Sequence, residues 1–109
     1  MTRADALRSM QPQLVADVVL YPTEQGGRPT AAYPGWGCPC VVSKTLPLVG
    51  YDGWPLLGDE PINPGESRRL GFVFLAPEGL EAISRAGSFY LWEGRFIGEA
   101  TVVRWPSTQ

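Results

Sequence analysis

Arg69-Leu-Gly-Phe-Val-Phe-Leu75 sets Leu70, Phe72 and Phe74 two residues apart. In an extended chain that spacing puts all three on one face, whereas residues two apart on a helix do not face each other. The stretch therefore reads as a strand with a buried side. Its borders agree. Asn63-Pro64-Gly65 before it suits a turn with Pro at the first central position and Gly at the second. Pro77 after it opens a short helix to Ala86, where Leu80 and Ile83 stand three apart and Gly87 follows the end.

The same punctuation runs along the whole chain, since 13 Gly and 11 Pro cut the 109 residues into short apolar pieces. Short pieces between Gly/Pro turns favour an all-β domain. Leu14 to Tyr21 is rich in β-branched residues and stops at Pro22, giving a first strand. Thr23 to Pro29 is a loop in which Gly26-Gly27 permits positive φ. Cys40 to Lys44 is a short strand, and Leu46, Leu48 and Val49 continue as an edge beyond a Pro interruption. Tyr51-Asp-Gly-Trp54 predicts a hairpin or loop tip, because Asp-Gly favours tight β turns. Ser88 to Glu93 and Arg95 to Trp105 form a hairpin around Gly94. Residues 1–12 are a polar tail, with Thr2 to Met10 able to wind a turn or two of helix and nothing predicting that it docks. Residues 13–106 then form one domain, a small six-stranded antiparallel β-barrel with one short helix.

Composition narrows the function. Nine Lys+Arg against eleven Asp+Glu give a net charge of −2, so the cationic excess that tracks phosphates is missing and DNA is not an expected partner. No apolar run approaches the roughly 20 residues of a spanning helix, and residues 1–10 lack the apolar core of a secretion signal. The expectation is a cytoplasmic protein without a membrane partner. With no histidine, the Ser-His and Cys-His nucleophile arrangements and most zinc sites are excluded. Cys38 and Cys40 offer two of the four ligands a structural zinc needs, and their spacing strains a disulfide. They read as reduced, buried, small apolar residues. Glu78 with Glu81, or Asp59 with Glu60, would need environments that split their pKa values to act as an acid/base pair, and solvated carboxylates lack them. No enzyme activity, metal or cofactor is expected.

Trp36, Trp54, Trp92 and Trp105 are many for this length, and tryptophan is enriched at binding hot spots. Trp54 on its predicted loop, and Trp92 beside Glu93-Gly94-Arg95, offer aromatic and guanidinium surface to a protein or to a stacked base. Trp36 and Trp92 fill the barrel ends in the alternative.

Three segments together resemble a known family. Gln25-Gly-Gly-Arg-Pro-Thr30 with Tyr33-Pro-Gly-Trp36, then Pro61-Ile-Asn-Pro-Gly-Glu66, then Trp92-Glu-Gly-Arg-Phe-Ile-Gly98 are similar, in order and separation, to segments of the third domain of the translation elongation factor Tu family. The similarity spans about residues 14–105. It implies an antiparallel six-stranded barrel without catalytic residues, of the kind that packs on a GTPase domain and meets tRNA and an exchange factor. There is no phosphate-binding G-x-x-x-x-G-K-[ST] loop, so GTPase activity is excluded. Gly37-Cys38-Pro39-Cys40 stands where the family has Arg-Pro-Gln-Phe on its tRNA side, the hairpin is one glycine shorter, and residues 78–86 look inserted. The resemblance and the aromatic residues together predict a stand-alone binding module for a protein partner, translation-related or in an immunity or mimicry role. RNA binding is the alternative. The partner-binding candidates are Arg28, Thr30, Trp54, Trp92 and Arg95.

Overall fold

Strand β4 (Ser67–Phe74) is the long wall that the Leu70-Phe72-Phe74 alternation predicts, with those three side chains turned into the core. The computed structural model describes residues 2–104, so Trp105 and Pro106 lie outside the described residues. The other strands are β1 (Leu14–Leu20), β2 (Cys38–Val41), β3 (Gly50–Pro55), β5 (Ser88–Trp92) and β6 (Phe96–Arg104). All pairings are antiparallel, and the order β1-β4-β3-β2-β5-β6 closes on itself through β1 and β6. The all-β six-stranded barrel expected from the sequence is therefore the fold. Closure gives every described strand a neighbour on both sides.

The seams are unequal. β1 and β6 pair from Val15–Arg104 to Leu20–Gly98, whereas β2 and β5 are joined only at Cys40–Leu91 and Val41–Tyr90. Inside, Leu14, Ala16, Val18 and Leu20 of β1 meet Cys38 and Cys40 of β2, Phe89 and Leu91 of β5, and the β4 row. Phe72 stands at the centre, edge-on to Phe89 at 5.3 Å between ring centroids and stacked with Phe74 at 6.1 Å. Each such buried ring contributes about 1.5–3 kcal/mol of burial. The barrel is packed with side chains, and it has no buried polar or charged residue among those described.

Helix α2 (Pro77–Ala86) has the predicted bounds, with Pro at its start and Gly87 closing it at φ 81°. It lies across β3, β4 and β5, and it plugs the barrel by sinking Ile83 fully into the core with Leu80 beside it. Gly79 lets the helix approach Tyr51, since a Cβ there would stand 2.9 Å from the tyrosine Cβ.

Three local expectations are corrected. Asp52-Gly53 is no loop tip: it runs inside β3, where Gly53 faces Phe74 so closely that a Cβ would lie 2.8 Å from the ring. A strand position that admits no side chain overrides the turn preference of Asp-Gly. Leu46, Leu48 and Val49 form no edge strand; β2 starts two residues earlier than Cys40, ends at Val41, and leaves 42–49 as a loop. The polar tail does dock. Thr2 and Asp5 form a reciprocal capping box for helix α1 (Arg3–Arg8), Leu7 is buried, and Arg8 pairs with Asp59 at 2.8 Å. A cap of this kind is worth about 1 kcal/mol.

Candidate functional site

Two glycines fold the loop after β1 back on itself. Gly26 takes φ 95°, and Gly27 passes so near β1 that a Cβ would stand 1.9 Å from the Tyr21 carbonyl oxygen. Arg28 is thereby laid across the end of the barrel. Its Nη1 donates to Glu93 Oε2 at 2.5 Å, its Nε to the Thr30 carbonyl at 3.2 Å and its Nη2 to the Ala31 carbonyl at 3.3 Å. The guanidinium also stacks over Trp36, 5.3 Å from the ring centroid. Trp36 Nε1 donates to the same Glu93 oxygen at 2.7 Å. One carboxylate oxygen thus ties the Gly-Gly-Arg loop and the Tyr33–Trp36 segment to the β5–β6 hairpin. The Arg28 side chain is 15% exposed and that of Glu93 32%. Arg28 serves the fold, and Thr30 is exposed beside it.

The hairpin presents a second arrangement. The β5–β6 register passes from Leu91–Gly98 to Trp92–Phe96, so β6 carries one extra residue, Ile97. Such a bulge re-aims its neighbours. Ile97 goes into the core, while Phe96 stays outside with Trp92. Trp92 and Phe96 meet edge to face at 4.9 Å, and Tyr90 and Phe96 at 5.7 Å. Lys44 reaches over from the 42–49 loop, its Nζ 4.8 Å from the Tyr90 centroid and 5.0 Å from that of Phe96. That contact joins the loop to the aromatic face. The loop itself exposes Leu46 (80%) and Val49 (52%) and encloses a cup of about 280 Å³. Arg95 is exposed at the turn after Gly94. Just beyond the end of β1, Tyr21 donates its hydroxyl to Glu99 Oε1 at 2.8 Å. Burial first, then the Glu99 carboxylate, pushes the Tyr21 hydroxyl up to about 12.

Trp54 belongs to a different surface. It is half-buried beneath α1, in a groove of about 430 Å³ lined by Leu7, Met10, Val73 and Leu75, with Arg3 5.7 Å from its ring centroid. Gly37 packs on its edge, and the indole nitrogen has no hydrogen-bond partner among the described residues. Of the five sequence candidates, the structure gathers Arg28, Thr30, Trp92 and Arg95 around the hairpin and puts Trp54 under the helix.

Of the remaining chemical candidates, Glu60 and Glu78 are exposed and the others have structural employment. Cys38 and Cys40 are free and buried, and Cys40 donates to the Cys38 carbonyl at 3.7 Å. That hydrogen bond, and then burial, hold the Cys40 thiol well above its ordinary range and keep it protonated. Glu81 pairs with Arg85 and Asp59 with Arg8. No group of three or more His, Cys, Asp and Glu is placed to hold a metal among the described residues, and no described helix is long and apolar enough to cross a membrane.

Lys44, Tyr90 and Phe96 escaped the sequence reading. The available signal was that β5 is aromatic or apolar on both sides, with Phe89 and Leu91 inward and Tyr90 and Trp92 outward. A half-exposed strand face normally alternates with polar residues.

Comparison with protein-family models gives no match, and no curated protein matches the chain.

Proposed function

We propose that the chain is a non-enzymatic binding module that engages a protein partner through the outer face of β5–β6 and the adjoining 42–49 loop. The observation that carries this is the outward trio Tyr90, Trp92 and Phe96, continuous through Lys44 with the exposed Leu46 and Val49. Tyr and Trp are the residues that dominate protein interfaces, because they bury much area on few rotatable bonds. The resemblance to elongation factor Tu domain 3 supports a translation-related partner, or mimicry of that domain toward such a partner.

RNA is the weaker reading. Of the two arginines that reading draws on, Arg28 donates to Glu93 and to two backbone carbonyls instead of facing solvent, and Arg95 is left as the exposed one.

The test is affinity capture from the native organism's extract with the wild type beside a Leu46→Ser/Val49→Ser variant. Both residues are exposed, so the fold is retained. A protein held by the wild type and lost by the variant is the expected result. Identical eluates overturn the assignment of this face, and binding to total tRNA that falls steeply with salt favours RNA instead.

A further inference from the structure

The cations of this chain are unevenly employed. Arg8, Arg28, Arg68, Arg69 and Arg85 all sit in ion pairs. Arg3 lies over Trp54. The two other cations with described side chains, Lys44 and Arg95, are both exposed, have no carboxylate within 4.0 Å among the described residues, and flank the same aromatic face. Of the local carboxylates, Glu93 is compensated by Arg28, whereas Glu99, opposite Tyr90 across the sheet, accepts only from the neutral Tyr21 hydroxyl and keeps its charge. On a chain of net charge −2, this face therefore sets the two cations Lys44 and Arg95 against one uncompensated carboxylate, Glu99, and its rim is positive on balance.

Next to that rim is an apolar cup. Val41, Val42, Thr45, Leu46, Pro47 and Val49 enclose its roughly 280 Å³. The size suits one large aliphatic or aromatic side chain. The distance from cup to rim is short, since Lys44 lies within the cup's own loop.

We propose that this face receives an acidic peptide segment carrying one large apolar side chain, with the apolar group in the 42–49 cup and carboxylates against Lys44 and Arg95. It rests on the assignment of the same face to protein binding. Charge complementarity selects the occupant: opposite charges at a rim steer association and reject like-charged competitors. Tracking a nucleic-acid backbone takes a groove of successive cations, and two cations beside an apolar cup do not make one. The contact of Lys44 with Tyr90 and Phe96 places its cation directly beside the aromatic face.

The test is an NMR titration of the full isotope-labelled chain. The probes are a synthetic Glu/Asp-rich peptide with a central Leu-Phe, its Lys-for-Glu counterpart, and total tRNA, each carried to roughly millimolar or saturating concentration. The expected result is movement of the Trp92 indole and of the 42–49 amides with the acidic peptide. Affinity should fall by roughly tenfold in Lys44→Glu/Arg95→Glu, the sum of two rim pairs. Arg85→Glu on α2, also exposed, should leave it unchanged. Equal response to acidic and basic peptides, no response to either, or an unchanged affinity in the double reversal each overturns the proposal. If tRNA alone moves these resonances, the occupant is nucleic acid and the proposal fails. Failure here with a protein still lost from the Leu46→Ser/Val49→Ser capture removes the acidic class and leaves protein binding standing. Failure of both removes the face.

Discussion

Replacing Glu93 with alanine tests the clamp at the barrel end. Glu93 Oε2 accepts from Arg28 Nη1 and from Trp36 Nε1, and neither side chain of the ion pair is more than 32% exposed. Deleting the carboxylate leaves a largely covered guanidinium and an indole N–H without their acceptor. A hydrogen bond to a charged group is worth about 1.5–3 kcal/mol, and an unpartnered covered donor costs a similar amount. Allowing for partial solvent screening of the ion pair, Glu93→Ala should cost about 3 kcal/mol. For a domain of this size that lowers Tm by about 12 °C or more. Glu93→Gln keeps an acceptor oxygen and the side-chain volume while losing the charge, and should cost about 1 kcal/mol. Guanidinium chloride unfolding followed by far-UV circular dichroism reads both, with an unchanged m value showing that only stability moved. A double-mutant cycle with Trp36→Phe isolates the share of the indole bond. A loss below about 0.5 kcal/mol for Glu93→Ala, in the range of an exposed surface pair, would refute the clamp.

Ile83→Ala empties the plug that α2 inserts into the barrel and should cost about 2–5 kcal/mol in the same unfolding assay; a loss under about 1 kcal/mol would mean that the helix merely lies on the surface. Tyr21 gives a pH signature. Its folded-state value of about 12 lies above the ordinary value of about 10, so its contribution is complete below pH about 10 and disappears as pH rises toward 12. Absorbance titration should show one tyrosine ionising near the upper value, and Tyr21→Phe should remove both that step and its part of the alkaline loss of stability. A Tyr21→Phe profile superimposable on the wild type would contradict the assignment.

Most of the barrel was legible because most of it is locally encoded. The β4 alternation, the Pro-start and Gly-end of α2, the Asn63-Pro64-Gly65 turn and the Gly94 hairpin each rest on residues a few positions apart. What failed depended on distant neighbours. Asp52-Gly53 looks like a turn until Phe74 is set against Gly53. Leu46 to Val49 look like a strand until no partner strand meets them. The docking of α1 rests on Leu7 and on an Arg8–Asp59 pair, neither of which leaves a periodic trace. At the candidate site the sequence found Trp92 and Arg95 from their clustering, and it found Arg28 from its motif. Whether that arginine faces a partner or a carboxylate of its own chain is a tertiary property, decided by Glu93 at a separation of 65 residues.

The short β2–β5 seam has a consequence for how occupancy would be felt. Spontaneous breathing of the cylinder should start at Cys40–Leu91 and Val41–Tyr90, where the fewest backbone bonds must part. A ligand seated on the 42–49 loop and on Tyr90 and Trp92 straddles that gap, since the loop continues β2 and the aromatics belong to β5. Docking there would act as a staple, slowing amide hydrogen exchange along both strands and raising the melting temperature of the whole domain.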